Sequence, residues 1–285
     1  MEKITMSPAA KTKIVNIVLK TLTYILLILT SVVMFFPFYY SVISSVRPNI
    51  ESISGLSLWP KTFIWDNYSN LFRDMDIPLY FMNTVFMTAV GLFTNLFFCS
   101  LAAYALAKFR FPGRRIIHGI FLASMMIPGI VLLVPQYLIT YRLGLVDSFA
   151  GAILPGAVGI YGVFFMYQFY VGVPSDMAEA ARIDGAGELR IFLQIYIRMV
   201  VPGLITLGIF TFNSYWNSFL WPNIVLIDTD KTVLAVALKN YNIYYTENMG
   251  PLMAGSIVIV IPVFLVFVFG QKYIVNNMSF SGLKA

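Results

Sequence analysis

The chain has 285 residues, of which 59% are apolar and only 11% are charged, and its formal net charge is +6. Soluble domains average roughly 45–50% apolar and about 25% charged residues, so this composition excludes a soluble globular protein. The single cysteine, Cys99, excludes an intramolecular disulfide framework and a multi-cysteine metal site. In a chain that lies in lipid, surplus basic residues mark cytoplasmic loops more often than a nucleic-acid surface.

Six apolar windows follow one another along the chain, and each is long enough to cross about 30 Å of hydrocarbon as a helix of about 20 residues. None of them contains Asp, Glu, Lys, Arg or His. In chain order they cover residues 21–46, 81–106, 119–141, 149–171, 201–226 and 251–270. The sequence therefore predicts an all-α polytopic membrane protein with six transmembrane helices. Residues 1–20 and 271–285 form the terminal segments, and 81–270 forms a core of five helices.

The distribution of Lys and Arg predicts the orientation of the spans. With the N-terminus inside, thirteen of the 19 basic residues fall in cytoplasmic segments and six fall on the opposite side. This asymmetry satisfies the positive-inside rule, so both termini are predicted to be cytoplasmic. Two long connections, 47–80 and 227–250, are then external loops, and the long polar stretch 174–200 is cytoplasmic.

The cytoplasmic stretch is predicted to form a short helix, a glycine elbow and a second helix. Asp176 and Glu179 have the spacing of a capping box, which typically begins a helix. Gly185 and Gly187 then interrupt the helix, because glycine turns the chain through positive φ without strain. The apolar face of the first helix comprises Met177, Ala180, Ala181 and Ile183. The amphipathic stripe of the second comprises Leu189, Phe192, Leu193, Tyr196 and Val200.

Residues 179–186 read Glu-Ala-Ala-Arg-Ile-Asp-Gly-Ala and resemble the EAA motif of permease subunits of type I ABC importers. The stretches 59–68, 102–113 and 215–222 are similar to carbohydrate-type permeases, and the likeness is greatest to the shorter, six-span partner of the maltose-type pair. One departure is Arg198, which stands where the family pattern has proline. Pro202 still follows at the expected place.

The resemblance implies that the EAA segment is a coupling helix that docks into a groove on a cytosolic ATPase subunit. The implied coupling residues are Met177, Glu179, Ala180, Ala181, Asp184 and Gly185. The implied partners are a second, different permease chain, two ATPase subunits that bind ATP and Mg, and an external solute-binding protein. The implied location is the bacterial cytoplasmic membrane. Since the chain has no G-x-x-x-x-G-K-[ST] phosphate loop, it is predicted to be non-catalytic and to hold no cofactor itself.

The free energy that a conformational change requires indicates how such coupling works. Turning a conformational equilibrium from 1:99 to 99:1 takes about 5.5 kcal/mol of differential interaction. An exposed ion pair of Glu179 supplies only about 0–1 kcal/mol. We therefore expect residues 177–183 to dock as one rigid body, with Gly185 transmitting the motion towards the fifth span.

Four residues of the fifth span are predicted to line the translocation pathway, because amide groups flanked by aromatic rings suit sugars. They are Phe210, Asn213, Trp216 and Asn217. The alternative is that the amides join neighbouring helices and that the tryptophans form an interfacial belt. In the loop 227–250, the resemblance implies that Lys239, Tyr241 and Tyr244 contact the binding protein.

The predicted function is therefore that of a permease subunit in a binding-protein-dependent ABC importer of a sugar or oligosaccharide. An ABC permease for another solute, such as a glycerophosphate, is an alternative. An ion-coupled secondary transporter usually has ionisable groups within the membrane, which these spans lack, although sodium binding by backbone carbonyls stays open. A membrane enzyme is a further alternative, but one histidine and one cysteine offer no visible acid–base set.

Overall fold

The computed structural model describes residues 8–48, 58–244 and 249–282, and these contain no β-strand. The α-helices are α1 (Pro8–Ser45), α2 (Asp66–Asp74), α3 (Ile77–Lys108), α4 (Arg114–Ser124), α5 (Leu133–Arg142), α6 (Phe149–Ile153), α7 (Ile160–Gly172), α8 (Asp176–Ile183), α9 (Glu188–Ile191), α10 (Ile197–Met199), α11 (Val201–Trp216), α12 (Leu220–Val225), α13 (Leu234–Tyr244) and α14 (Met249–Gly282). Turns of 3₁₀ helix lie at Gly129–Leu132, Leu154–Gly156 and Thr229–Lys231, and a π-helical turn lies at Phe192–Tyr196. The predicted all-α class is confirmed.

Two compact units divide the chain, and the first comprises α1, the residues up to Leu71 and the start of α14. Its buried polar centre is Arg47, whose Nη2 donates to the hydroxyl of Tyr40 at 2.7 Å. Asn67 donates its amide to the carbonyl oxygens of Ser45 and Arg47, both at 2.9 Å. These bonds fix the start of α2 against the end of α1. The large apolar side chains of α1 from Ile17 to Phe38 are exposed within this chain, as in a helix surrounded by lipid.

The second unit comprises 72–244 and the chain from Val258, and its core forms where α3 packs against α7 and α11. Small residues permit this close packing. A Cβ built on Gly162 lies only 2.8 Å from the sulfur of Cys99, which is fully buried. Cys99 therefore serves as a small apolar residue between two helices.

Three helical segments are long and apolar enough to cross a membrane, namely Asn16–Ser45, Ile77–Lys108 and Met249–Tyr273. Three further candidates are pairs of helices bent at a short break. The pairs are Arg114–Ser124 with Gly129–Arg142 (100°), Phe149–Gly156 with Ile160–Gly172 (44°), and Glu188–Met199 with Val201–Trp216 (82°). The described chain thus has up to six spans if each bent pair counts as one.

Three of the six predicted spans are bent in the structure, and prolines lie at or next to the breaks. Pro128 precedes the second half of the third span, and Pro155 lies in the 3₁₀ turn of the fourth. Proline lacks a backbone N–H and clashes with the preceding turn, so it favours a break inside a helix. In the fifth span the bend lies at Val200, where α11 starts with Pro202 in its first turn, and α11 ends at Trp216.

Candidate functional site

The short helix α8 carries the EAA residues. It starts one residue earlier than a capping box of Asp176 and Glu179 requires. Ser175 is the N-cap and has φ −87° and ψ −16°, but its side chain makes no capping hydrogen bond. Asp176 is therefore already the first helical residue, and the predicted capping box of Asp176 with Glu179 does not form. Two carboxylates in the first turn still interact favourably with the helix dipole.

Most of the predicted apolar face of α8 is turned to solvent. The residue that packs into the protein is Ala178, which is 1% exposed, with Ala181 half-buried beside it. The two large side chains of the predicted face are accessible, since Met177 is 57% exposed and Ile183 is 87% exposed. Glu179 and Ala180 are exposed as well. Together, residues 177, 179, 180 and 183 form what we call the outer face of α8, a solvent-facing surface with two large apolar side chains.

The elbow after α8 has the geometry of a Schellman motif. Gly185 has φ +82°, a left-handed conformation that favours glycine, as predicted. Its N–H donates to the carbonyl of Arg182 at 3.0 Å, and the N–H of Ala186 donates to the carbonyl of Ala181 at 2.9 Å. Gly187 has φ −71° and ψ 156°, which any residue adopts, so its predicted role in the turn is wrong.

A side-chain bridge closes this elbow, and the sequence did not indicate it. Arg182 donates to both carboxylate oxygens of Glu188, with Nε–Oε1 at 2.6 Å and Nη2–Oε2 at 3.2 Å. The hydroxyl of Tyr104, near the end of α3, donates to Oε2 of Glu188 at 2.8 Å. The carboxylate raises the pKa of Arg182. Glu188 therefore ties α8, α9 and α3 together, and we call this arrangement the elbow brace.

The amphipathic segment after the elbow is rotated relative to the predicted stripe. Phe192, Tyr196 and Val200 are buried as predicted, but Leu189 is 62% exposed and Leu193 is 47% exposed. The residue of the first turn that is buried instead is Ile191, and a π-helical turn over 192–196 then changes the helical phase of the residues that follow. The polar residues of this segment are exposed, and they are Arg190, Gln194 and Arg198.

The helix reorients towards the fifth span without the family proline at position 198. Arg198 is exposed within α10, and the chain leaves helical geometry two residues later, at Val200, with φ −103° and ψ 12°. Pro202 then begins α11. The helices on either side of Val200 meet at a bend of 82°.

The four predicted pathway residues of the fifth span do not share one face. Asn213 and Asn217 are exposed and joined by a hydrogen bond of 2.8 Å from Nδ2 of Asn217 to Oδ1 of Asn213, and Phe210 is 44% exposed. Trp216 is 3% exposed and donates Nε1 to the carbonyl of Ile259 at 3.0 Å. At about 3.6 residues per turn, Trp216 lies about 120° around the helix from Phe210, which explains its separate environment.

A cavity of about 370 Å³ lies among α3, α5, α7 and α11, next to this helix face. Asn95, which is 7% exposed, organises one wall. Its Nδ2 donates to the carbonyl of Gly156 at 2.9 Å, and its Oδ1 accepts from the hydroxyl of Thr211 at 3.1 Å. One neutral amide therefore joins three spans at the point where the fourth is broken.

The rest of the cavity wall combines polar and aromatic side chains. Polar members are Gln136, Ser214 and Ser218, and aromatic members are Tyr161, Phe210, Tyr215 and Trp221. Of these, only Phe210 was predicted as a pathway residue. Gln136 lies in a different span, and no spacing in the sequence places it beside Ser214.

Asp147 joins two loops between helices and has φ +59°, an unusual value for a residue other than glycine. Its carboxylate accepts from the N–H groups of Ile227 and Asp228, each at 2.9 Å, and from Nζ of Lys231 at 2.7 Å. Hydrogen bonds from the Asp228 N–H and from Lys231 lower the pKa of Asp147 to about 2.

The predicted contacts to a binding protein fall on residues with different exposures. Lys239 is exposed, with Nζ 5.0 Å from the ring centroid of Phe219. Tyr241 is 3% exposed and its hydroxyl lies 3.3 Å from Oδ2 of Asp74, so its predicted place on an accessible surface is wrong. Tyr241 lies within the helix α13, in the stretch that the sequence predicts as a loop. The side chain of Tyr244 lies outside the described residues.

The sequence and the backbone both match known transport proteins. The family described as binding-protein-dependent transport system inner membrane component matches residues 95–280. The arabinooligosaccharides transport system permease protein AraQ of Bacillus subtilis is 35% identical over 261 residues, which cover 89% of this chain and 92% of that protein. The diacetylchitobiose uptake system permease protein NgcG of Streptomyces coelicolor is 34% identical over 262 residues, which cover 90% and 87%.

A solved structure is similar over nearly the whole fold. One chain in the crystal structure of a bacterial ABC transporter involved in the import of the acidic polysaccharide alginate superimposes with a TM-score of 0.79 at 26% sequence identity. The match covers 95% of this chain and 99% of that one. The likeness therefore extends well beyond the EAA motif.

Proposed function

The chain belongs to the family of binding-protein-dependent transport system inner membrane components, and on that premise we propose that it is a permease subunit of an ABC importer for a sugar or oligosaccharide. Permease subunits of this family transport and are not themselves catalytic. In this proposal the chain forms half of the translocation pathway, and the energy comes from ATP hydrolysis by partner subunits, which hold ATP and Mg.

The observation that carries the coupling part of the proposal is the outer face of α8. Ile183 is 87% exposed and Met177 is 57% exposed on a helix that otherwise carries charge and alanine. Exposed apolar side chains surrounded by polar residues mark interaction surfaces. The small Ala180 between them permits close approach of a partner. We assign this face, with Glu179 at its edge, as the surface that docks on the ATPase.

The elbow brace supports motion of α8 as part of a rigid lever. Asp184 and Gly185 form the turn itself, and the bidentate contact of Arg182 with Glu188 spans it. Tyr104 carries the connection to the end of α3. A displacement of the outer face is thus transmitted to the second span as well as to the fifth. Gly185 serves in this scheme as a fixed corner rather than as a flexible hinge.

The substrate assignment is supported by the names of relatives and by the exposed side chains of α11. Two relatives at 34–35% identity are named for arabinooligosaccharides and diacetylchitobiose. Asn213 and Asn217 present amides on an exposed face of a membrane helix, and Phe210 lies on the same side. An exposed amide in an apolar span is costly in lipid. We therefore place this face against a second, different permease subunit, along the sugar pathway.

The proposed assembly also contains an external solute-binding protein and lies in the bacterial cytoplasmic membrane with both termini inside. Lys239 is the exposed external residue that we assign to contact with the binding protein. Basic residues concentrated on the α8 side of the membrane support this orientation.

Affinity purification from the native membrane tests the proposal. A tagged chain is solubilised in mild detergent, and the copurifying proteins are identified by mass spectrometry and assayed for ATPase activity. We expect a second permease chain and an ATPase subunit in stoichiometric amounts. Purification of the chain without any ATPase, under conditions that preserve a known importer, contradicts the proposal.

A further inference from the structure

The cavity beside α11 lies close to the middle of the second span, since Asn95 is central in α3 (Ile77–Lys108). Discontinuous membrane helices commonly form transport sites near the midplane, because their breaks expose backbone groups inside the protein. The fourth span breaks at this place, with Gly156 and Gly159 in the cavity wall. The first N–H groups of α7 are therefore at the wall without intrahelical acceptors.

Three polar side chains of the wall supply hydrogen-bonding groups to the cavity. In the described part of the chain, the side chains of Gln136, Ser214 and Ser218 have no hydrogen-bond partner, whereas the neighbouring Asn95 is paired on both sides. Gln136 and Ser218 are half-buried and Ser214 is exposed, so their polar groups are accessible to a ligand in the cavity. Sugar hydroxyls donate and accept, so they match an amide and two hydroxyls.

Aromatic rings complete the wall. Tyr161 and Phe210 meet edge to face, with ring centroids 6.4 Å apart. Trp221 is held in place by its Nε1, which donates to the carbonyl of Gly151 at 3.1 Å. Rings fixed in this way present flat apolar surfaces to the C–H faces of a sugar ring, beside the polar groups that read its hydroxyls.

Charge decides between neutral and acidic saccharides. Among the described residues that line the cavity, none is a carboxylate, a lysine, an arginine or a histidine. A uronate carboxylate entering this cavity loses water without gaining a cationic partner, which is strongly unfavourable. The partial charge at the N-terminus of α7 is too small to offset that loss.

We infer that this cavity, within this one subunit, is a binding subsite for a short neutral saccharide segment. Gln136, Ser214 and Ser218 hydrogen-bond to the hydroxyls of the sugar. The rings of the sugar stack on Tyr161, Phe210 and Trp221. Its volume of about 370 Å³ lies near the lower end of the range of about 300–1,000 Å³ found for small-molecule sites. The inference rests on the proposed function, since it names the substrate class that the same pathway accepts.

The test uses the intact importer complex in detergent, titrated with arabinotriose, diacetylchitobiose and trigalacturonate, with tryptophan fluorescence as the readout. At least one neutral sugar is expected to change the emission saturably, and trigalacturonate is not. Gln136→Ala is expected to weaken binding of the neutral sugar up to about tenfold, the value of one hydrogen bond. Gln168→Ala is the matched control, because Gln168 lies exposed on α7 outside the cavity wall.

Ser214→Cys provides a second measurement that needs only a small change of side chain. The neutral sugar is expected to slow labelling of this thiol by a methanethiosulfonate reagent, and trigalacturonate is not. Equal binding by Gln136→Ala and Gln168→Ala, tighter binding of trigalacturonate, or no saturable response to any sugar overturns the inference. If ATP-driven sugar uptake persists in those cases, the proposed function is intact. A complex that contains no ATPase contradicts both the inference and the proposed function.

Discussion

The elbow brace and Asn95 in the cavity wall both join separate helices through side-chain hydrogen bonds, but the chemistry of the two regions differs. At the elbow, the ionised pair Arg182 and Glu188 joins two helices at side chains that are 38% and 42% exposed. In the membrane, the neutral amide of Asn95 joins three spans through contacts at 2.9 and 3.1 Å. Water can solvate an ionised bridge at the surface, but an ion inside a span loses that solvation.

This difference assigns different roles to the two regions. A half-exposed ion pair contributes little to stability, so the elbow brace serves to hold geometry and transmit force. The buried amide of Asn95 contributes mainly by leaving no polar group unpaired. The first region is therefore expected to respond to changes in coupling assays, and the second to changes in stability assays.

The largest effect is expected at the outer face of α8. Ile183→Glu places a carboxylate where an apolar partner surface is expected, so association with the ATPase should weaken more than tenfold. The matched control is Ile227→Glu, since Ile227 is 71% exposed in the loop that follows α12. Copurified ATPase per permease chain is the measurement. Equal ATPase recovery from both variants contradicts the assignment of this face.

Asn95→Leu is expected to give the next largest effect, in stability rather than coupling. The change leaves the carbonyl of Gly156 and the hydroxyl of Thr211 without a partner, at a cost of about 1–3 kcal/mol for each group. The matched control, Asn217→Leu at an exposed position, is expected to change stability by about 0.5 kcal/mol or less. Thermal unfolding in detergent compares them, and equal melting temperatures contradict the role of Asn95.

Gly185→Val is compared with Gly113→Val. The two glycines have the same backbone φ, so the comparison separates the effect of backbone strain from the effect on coupling. Gly185 has φ +82° and Gly113 has φ +83°, and an added Cβ has open space at both positions. Either valine is expected to cost about 1–3 kcal/mol of strain. Only Gly185→Val should reduce the sugar imported per ATP hydrolysed in proteoliposomes. Equal loss in both variants shows that strain alone explains the effect.

Glu188→Gln is expected to have a smaller effect on stability, about 0–1 kcal/mol, because the ion pair is half exposed. It should nevertheless lower the dependence of ATP hydrolysis on loaded binding protein several-fold, since the bidentate contact with Arg182 is lost. Tyr104→Phe removes only the hydroxyl contact and is expected to give part of that change. ATPase assays with and without binding protein measure both, and wild-type stimulation in Glu188→Gln contradicts the brace.

The smallest effect is expected at Asp147, and it concerns pH. Its folded-state pKa of about 2 lies below the ordinary value of 3.8, so its ionised form stabilises the fold above about pH 4. This contribution is lost as pH falls from about 4 through 2. Between pH 5 and 8, Asp147→Asn should therefore lower the melting temperature by a constant amount. A difference that grows steadily across that range contradicts the assignment.

The sequence predicts the elbow better than the cavity, for a physical reason. The turn at Gly185 depends on residues within one short segment, where glycine and helix periodicity act locally. The cavity depends on contacts between residues that are 61 and 116 positions apart, from Asn95 to Gly156 and to Thr211. No spacing rule reports such pairs.

Some residues within the predicted segments were assigned to the wrong face or were missed, and each case has an identifiable cause. A π-helical turn changes the helical phase after Ile191, and Trp216 lies about 120° around α11 from Phe210. Glu188 was missed as a site residue because its partner Tyr104 lies 84 positions away. The apolar windows located all six candidate spans, but hydropathy does not report where a span bends.

Sugar uptake by reconstituted vesicles tests the central claim most directly, because the claim is that this chain moves its substrate only when a partner's ATP cycle pushes on α8. The complete complex with its binding protein is compared with the chain alone, with and without ATP. The account predicts concentrative uptake only for the complete complex with ATP, and its loss in Ile183→Glu. Concentrative uptake by the chain alone, without any ATPase, contradicts it.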